Sequence, residues 1–114
     1  MYKNYPIING WGRFYRVGFN IGHYRNPKNL AIQLVCVEDT EETFCGEPYG
    51  TMTVNLGVDC APDEGFIDVN NTPFLEAFIN KYNFGKPTGE TARSGYCIYP
   101  LYKFNLAEIK KYLF

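Results

Sequence analysis

Short runs of alternating apolar and polar residues, bounded by Gly, Pro or Asn, make up the first two thirds of this chain. From Phe14 to Ile21, apolar residues alternate with small or polar ones after Tyr15, which predicts a half-buried strand. A shorter strand over Tyr5–Asn9 precedes it, with Asn9-Gly10 as the turn. Asn26-Pro27-Lys28-Asn29 reads as a turn. Leu30–Val37 is the strongest strand: Leu30, Ile32, Leu34 and Cys36 fall on one face, and Ala31, Gln33, Val35 and Val37 on the other. Cys36 is thereby a core residue, because a free cysteine packs like a small hydrophobe. After an acidic connection, Glu38–Pro48, alternation resumes over Tyr49–Leu56 with Met52, Val54 and Leu56 on one side. These two strands are expected to form an antiparallel hairpin with an extended loop. Gly57–Gly65 is rich in turn residues, and Phe66–Val69 forms a further short strand.

The period then changes from two to between three and four. Asn71 or Thr72 caps a helix, and Pro73 suits its first position, where a missing N–H costs nothing. Phe74, Leu75, Phe78, Ile79 and Tyr82 line one face, and Gly85 is the expected left-handed cap. Lys86–Ser94 reads as a Gly/Thr loop and Gly95–Phe104 as an aromatic strand. Pro100 cannot donate a ladder bond, so that strand is an edge or carries a bulge there. Asn105 caps a last helix with Leu106, Ile109 and Leu113 on one face. Strands, helix, strand, helix is an α+β order: a mainly antiparallel sheet with two helices packed on one face. At 114 residues, the whole chain (1–114) is expected to be one domain.

Charge changes this picture more than composition does. From Met1 to Val37 there are five Lys/Arg and no acidic residue; from Glu38 to Asn80 there are ten Asp/Glu and no basic one. The net charge of −1 therefore hides a segregated pattern that can give a folded surface distinct faces. The aromatic share, 18%, reads either as a compact aromatic core or as a core with some tyrosines lining an outer binding surface. No apolar run behind Met1–Pro6 resembles a signal sequence, and none approaches a membrane span, so a cytoplasmic protein with reduced cysteines is expected.

Candidate chemistry is sparse. The four cysteines form no C-x-x-C pair and His23 is the only histidine, which argues against zinc. Cys60 with His23 is the one thiol–imidazole combination, and no motif surrounds either. Asp59, Asp63, Glu64 and Asp68 lack calcium-loop spacing, and the glycines form no phosphate cradle. No catalytic residue, metal or cofactor is assigned. Arg13, Arg16, Arg25 and Tyr24 interleave basic and aromatic groups in the manner of a single-strand binder, but without a dense basic track. The acidic run of Glu38, Asp39, Glu41, Glu42 and Glu47 reads either as a solvated hairpin loop or as a contact surface for a basic protein groove.

Leu30–Leu34, Thr53–Leu56, Phe66–Asn71 and Ser94-Gly95-Tyr96-Cys97-Ile98-Tyr99-Pro100-Leu101-Tyr102 resemble a family of short domain-of-unknown-function proteins. These occur in Gram-positive bacteria, on their phages, conjugative elements and plasmids. The likeness spans about residues 30 to 105; the segment from Trp11 to Tyr24 is less similar. The resemblance implies no catalytic residues. It implies an accessory protein of a mobile element, a class that often counters host defence by binding and blocking a nuclease. The expectation is a non-enzymatic, anti-CRISPR-like inhibitor of a host defence protein such as a CRISPR effector nuclease, with Glu38, Asp39, Glu41, Glu42 and Glu47 as contacts. The alternative is a nucleic-acid-binding accessory protein using Arg13, Arg16, Arg25 and Tyr24.

Overall fold

A computed structural model describes residues 2–26 and 28–114. Among these residues there are eight strands: β1 (Ile7–Gly10), β2 (Arg13–His23), β3 (Leu30–Cys36), β4 (Pro48–Thr51), β5 (Thr53–Val54), β6 (Glu64–Ile67), β7 (Gly85–Ser94) and β8 (Cys97–Phe104). Helix α1 (Leu75–Tyr82) lies between β6 and β7, and α2 (Leu106–Ile109) runs into a 3-10 turn at Lys110–Tyr112. All strand pairings are antiparallel, so the class is α+β.

The strands form two four-stranded sheets, ordered β1-β2-β3-β4 and β5-β6-β8-β7. They are stitched together at Met52, which separates β4 from β5. Its N–H donates to the Ile32 carbonyl (2.8 Å) of the first sheet, and its own carbonyl accepts from the Asp68 N–H (3.1 Å) beside the second. The expected strand Tyr49–Leu56 is thus two strands in different sheets, a crossing that forms a corner in the fold. Thr53 Oγ1 completes the corner by accepting from the Ile32 N–H at 3.1 Å. The crossing separates residues that alternation would place together: Met52 enters the main core, while Val54 and Leu56 pack on a second cluster with Phe66, Tyr99 and Leu101.

The main core draws Val17, Phe19, Ile32 and Leu34 from the first sheet, Ile67, Tyr102 and Phe104 from the second, and Leu75, Phe78 and Ile79 from α1. Phe84 is fully buried at its aromatic centre, with the rings of Phe19, Phe78 and Tyr82 at 5.0–5.5 Å. The buried Tyr102 hydroxyl donates to Glu76 Oε1 at 2.7 Å, which satisfies the only polar atom of that side chain. Tyr82 hydrogen-bonds both the N–H (2.9 Å) and the carbonyl (3.3 Å) of Ile7, tying the end of α1 to edge strand β1.

Several sequence expectations shift. The first hairpin turns at Trp11-Gly12, with Gly10 paired to Arg13, and not at Asn9-Gly10. Lys86–Ser94 is not a loop: it lies within β7, whose residues are almost all exposed, so no apolar alternation marks it and backbone pairing to β8 alone defines it. Pro100 sits in a central strand, but β6 pairs only as far as Leu101, and the bulge falls opposite, between Pro87 and Thr91 of β7. Helix α1 starts at Leu75, later than a cap at Asn71 or Thr72 implies, because Asp68 accepts the Asn71 and Thr72 N–H groups and holds them in a turn. Asn83, at φ 58°, takes the left-handed position expected of Gly85, which instead opens β7. Leu113 leaves the last helical face and bridges Phe19 in parallel. The predicted turn at Asn26-Pro27-Lys28-Asn29 includes Pro27, which lies outside the described residues.

Met52 is completely buried where the chain passes from β4 of the first sheet to β5 of the second. Met52→Ala is expected to cost about 2–5 kcal/mol, the range for a large buried side chain cut back to Ala. Urea denaturation checks this; a loss below about 1 kcal/mol would mean the corner collapses around the cavity.

Candidate functional site

The β1–β2 turn has both central residues at positive φ, Trp11 at 57° and Gly12 at 78°. That pattern fits the right-handed twist of a two-residue hairpin, and Asn-Gly fills it best. A bulky residue at the first position is a genuine outlier, and such strain clusters at binding and catalytic sites. Trp11 also gains little burial in exchange, being 77% exposed, with its ring edge-on to Phe74 at 5.6 Å. Phe74 in turn lies directly over Gly10, where any Cβ would fall inside the ring. Phe14, three residues on, is 70% exposed.

The acidic connection between β3 and β4 packs beside this turn. Two ladder bonds close its base: Cys36 N–H to the Glu47 carbonyl and Gly46 N–H to the Cys36 carbonyl, both 2.8 Å. Inside it, Thr40 Oγ1 accepts from the N–H groups of Glu42 (3.1 Å) and Thr43 (3.0 Å), and the Thr43 hydroxyl donates to the Glu38 carbonyl. The loop is therefore ordered by its own polar groups.

The five predicted contact residues fall into different roles. Asp39 Oδ1 accepts the Cys45 N–H at 2.9 Å and braces the loop. Glu42 pairs with Arg13 and accepts from the Tyr15 hydroxyl at 3.0 Å. Glu38 approaches Arg16 Nε at 3.5 Å without hydrogen-bond geometry, while Arg16 Nη1 donates to the Tyr5 carbonyl. Glu41 is exposed, and Glu47 is half-buried; neither carboxylate has a hydrogen bond or ion pair among the described residues. The charge blocks that are separate in sequence thus meet in the fold. Glu38 and Glu42 face two guanidinium groups, and the other three carboxylates leave the patch acidic.

Turn, loop and helix approach enclose a groove of about 330 Å³, walled by Trp11, Tyr15, Tyr49 and Phe74, with Glu42 and Glu47 among its lining residues. The Tyr15 and Tyr49 rings are 5.4 Å apart. Burial pushes the Tyr49 hydroxyl up from its ordinary pKa. It does the same to the Cys36 thiol, with the Glu47 carboxylate adding to the effect, and both residues line the groove. A second hollow, lined by Phe14, Thr40 and Glu41, shares Arg13, Tyr15 and Glu42 with the first.

The remaining candidates do not assemble a second site. Of the basic–aromatic set, Arg13 and Arg16 face carboxylates, and the Tyr24 hydroxyl hydrogen-bonds Thr53. Arg25 is exposed. His23 lies at the end of β2, whereas Cys60 packs against the Phe66, Tyr99 and Leu101 cluster, and among the described residues no hydrogen bond joins them. Burial, then Glu64 and Asp59, push the Cys60 thiol up, the opposite of what activates a nucleophile. Asp63 pairs with Lys103 at 3.8 Å, and the buried Asp68 holds Asn71. Among the described residues, no group of three or more His, Cys, Asp or Glu is placed to hold a metal, and no helix is long and apolar enough to cross a membrane. Trp11 is the site residue that sequence patterning misses. Its signal was a bulky residue directly before Gly, between two strand patterns.

The family described as "Domain of unknown function (DUF4313)" matches residues 18–113. No curated protein and no solved structure matches the chain.

Trp11→Asn creates the preferred Asn-Gly turn and removes a left-handed strain of about 1–2 kcal/mol. Loss of the Phe74 edge contact returns about 0.5–1.5 kcal/mol. Chemical denaturation should therefore give a variant between about 0.5 kcal/mol less stable and about 1.5 kcal/mol more stable than the parent; a larger loss would mean that the ring packs more strongly than its exposure indicates. Thiol chemistry gives a separate check. At pH 8, exposed Cys45 should alkylate first and Cys60 more slowly, because its raised pKa leaves less thiolate; Cys36 should react only on unfolding. Cys60 reacting as fast as Cys45 would contradict this assignment.

Proposed function

We propose that this chain, which belongs to the DUF4313 family, acts by binding another protein through the face formed by the Trp11 turn and the acidic loop. In this reading it is an accessory protein of a mobile element, anti-CRISPR-like, and its partner is a host nuclease whose basic groove receives the carboxylates.

One observation carries the reading: an exposed tryptophan at a strained backbone position stands beside an acidic loop already fixed by its own hydrogen bonds. Exposed aromatic anchors supply most of the binding energy at protein interfaces, and preordering lowers the entropy lost on association. Carboxylates around such an anchor speed encounter with a basic surface and select against acidic ones. The resemblance to proteins of phages and conjugative elements supplies the setting in which a nuclease is the partner. The Trp11 turn precedes residues 18–113, so one half of the face comes from the matched region and the other from outside it.

Reversal of all five carboxylates would be a poor test, because Asp39 and Glu42 hold the loop in shape. Phe14→Ser with Glu41→Lys changes two exposed side chains that flank one hollow and carry no structural hydrogen bond. The tagged chain should retain a nuclease from host lysate at moderate salt and inhibit its cleavage in vitro. The double variant should keep the fold and lose at least about ten-fold in affinity. Equal retention by parent and variant, or retention of nucleic acid alone that disappears on nuclease treatment, would overturn the reading; the second outcome would favour nucleic-acid binding.

A further inference from the structure

We propose that the groove beneath Trp11 is a receptor for an arginine side chain of the protein partner, with Glu47 as its counter-charge and the rings of Trp11, Tyr15 and Tyr49 as its walls. This rests on the reading of the face as a protein-binding surface and specifies which chemical group that surface takes.

The carboxylates set the charge of the occupant. Glu42 is already engaged by Arg13 and Tyr15. Glu47 is half-buried, lines the groove and has no polar side-chain partner among the described residues. An unpartnered carboxylate on a groove wall favours a cationic occupant over a neutral or anionic one. The rings set the kind of cation. Guanidinium is planar, more weakly hydrated than ammonium, and stacks on aromatic faces while bonding a carboxylate edge-on, so it suits this wall better than lysine does. The chain's own Arg13 shows the same pairing at the rim, a guanidinium against Glu42 among these aromatic residues. The volume, about 330 Å³, accommodates a side chain and not a folded element.

Trp11 is the only tryptophan in the chain and lines the groove, so its fluorescence reports directly on occupancy. The probes are N-acetyl-arginine methylamide and its uncharged isostere, the citrulline methylamide, titrated at constant ionic strength. The arginine compound should give a saturable change and the citrulline compound none over the same range. Glu47→Gln should weaken the response about ten-fold. Glu90→Gln, on exposed strand β7 and outside this groove, should leave it unchanged and serves as the folded control. Equal responses to both compounds, or equal weakening by both variants, would overturn the proposal; so would an undiminished response in folded Glu47→Gln. No partner enters this titration, so its failure is distinct from that of the binding assay. A nuclease retained by a chain whose groove ignores arginine would preserve the face and remove the pocket.

Discussion

Met52 gives its N–H to one sheet and its carbonyl to the segment leading from the other, and its side chain fills the core between them. Everything distal to the corner depends on this. The first sheet brings Phe19, Ile32 and Leu34 to the core, the second brings Ile67, Tyr102 and Phe104, and α1 packs into the same space. The loop between β3 and β4 leaves the first sheet at Cys36 and rejoins it at Pro48, the end of β4 opposite the corner. The Asn71–Phe74 approach to α1, which follows β6, reaches the same end of the molecule and completes the groove.

At that end, electrostatics and sterics are coupled. Phe74 occupies the space that a side chain at Gly10 would take, and Trp11 packs edge-on to it. The hairpin then places Arg13 and Arg16 on the strand facing the loop, where Glu42 and Glu38 meet them. These are exposed or half-exposed pairs, each worth little to stability. Their effect is positional: they set the loop against the hairpin, while Thr40, Thr43 and Asp39 set its internal shape.

Much of the fold is legible in the sequence because burial there has a simple period. Leu30, Ile32 and Leu34 alternate into the core as expected, and Phe78 and Ile79 bury the predicted helical face. Legibility fails where backbone bonding, and not apolar period, decides structure. Strand β7 is nearly all exposed and is a strand only because β8 pairs with it. Met52 and Val54 share a parity but not a core, since the chain changes sheets between them. The acidic loop was legible as a candidate from charge alone. Its partition into braces, ion pairs and unpartnered carboxylates was not, because Arg13 and Glu42 are 29 positions apart and only the hairpin brings them together. Trp11 shows the same limit: nothing in its period distinguishes a strained turn from a strand end.

The ion pairs between hairpin and loop have a consequence for how this face behaves in different media. Mobile ions weaken the contacts that hold the loop against the hairpin, since each lies at or near the surface, and they also screen the field of the carboxylates. Rising ionic strength therefore acts twice, once on the charge that the face presents and once on its shape. A face built this way is sharpest in dilute electrolyte.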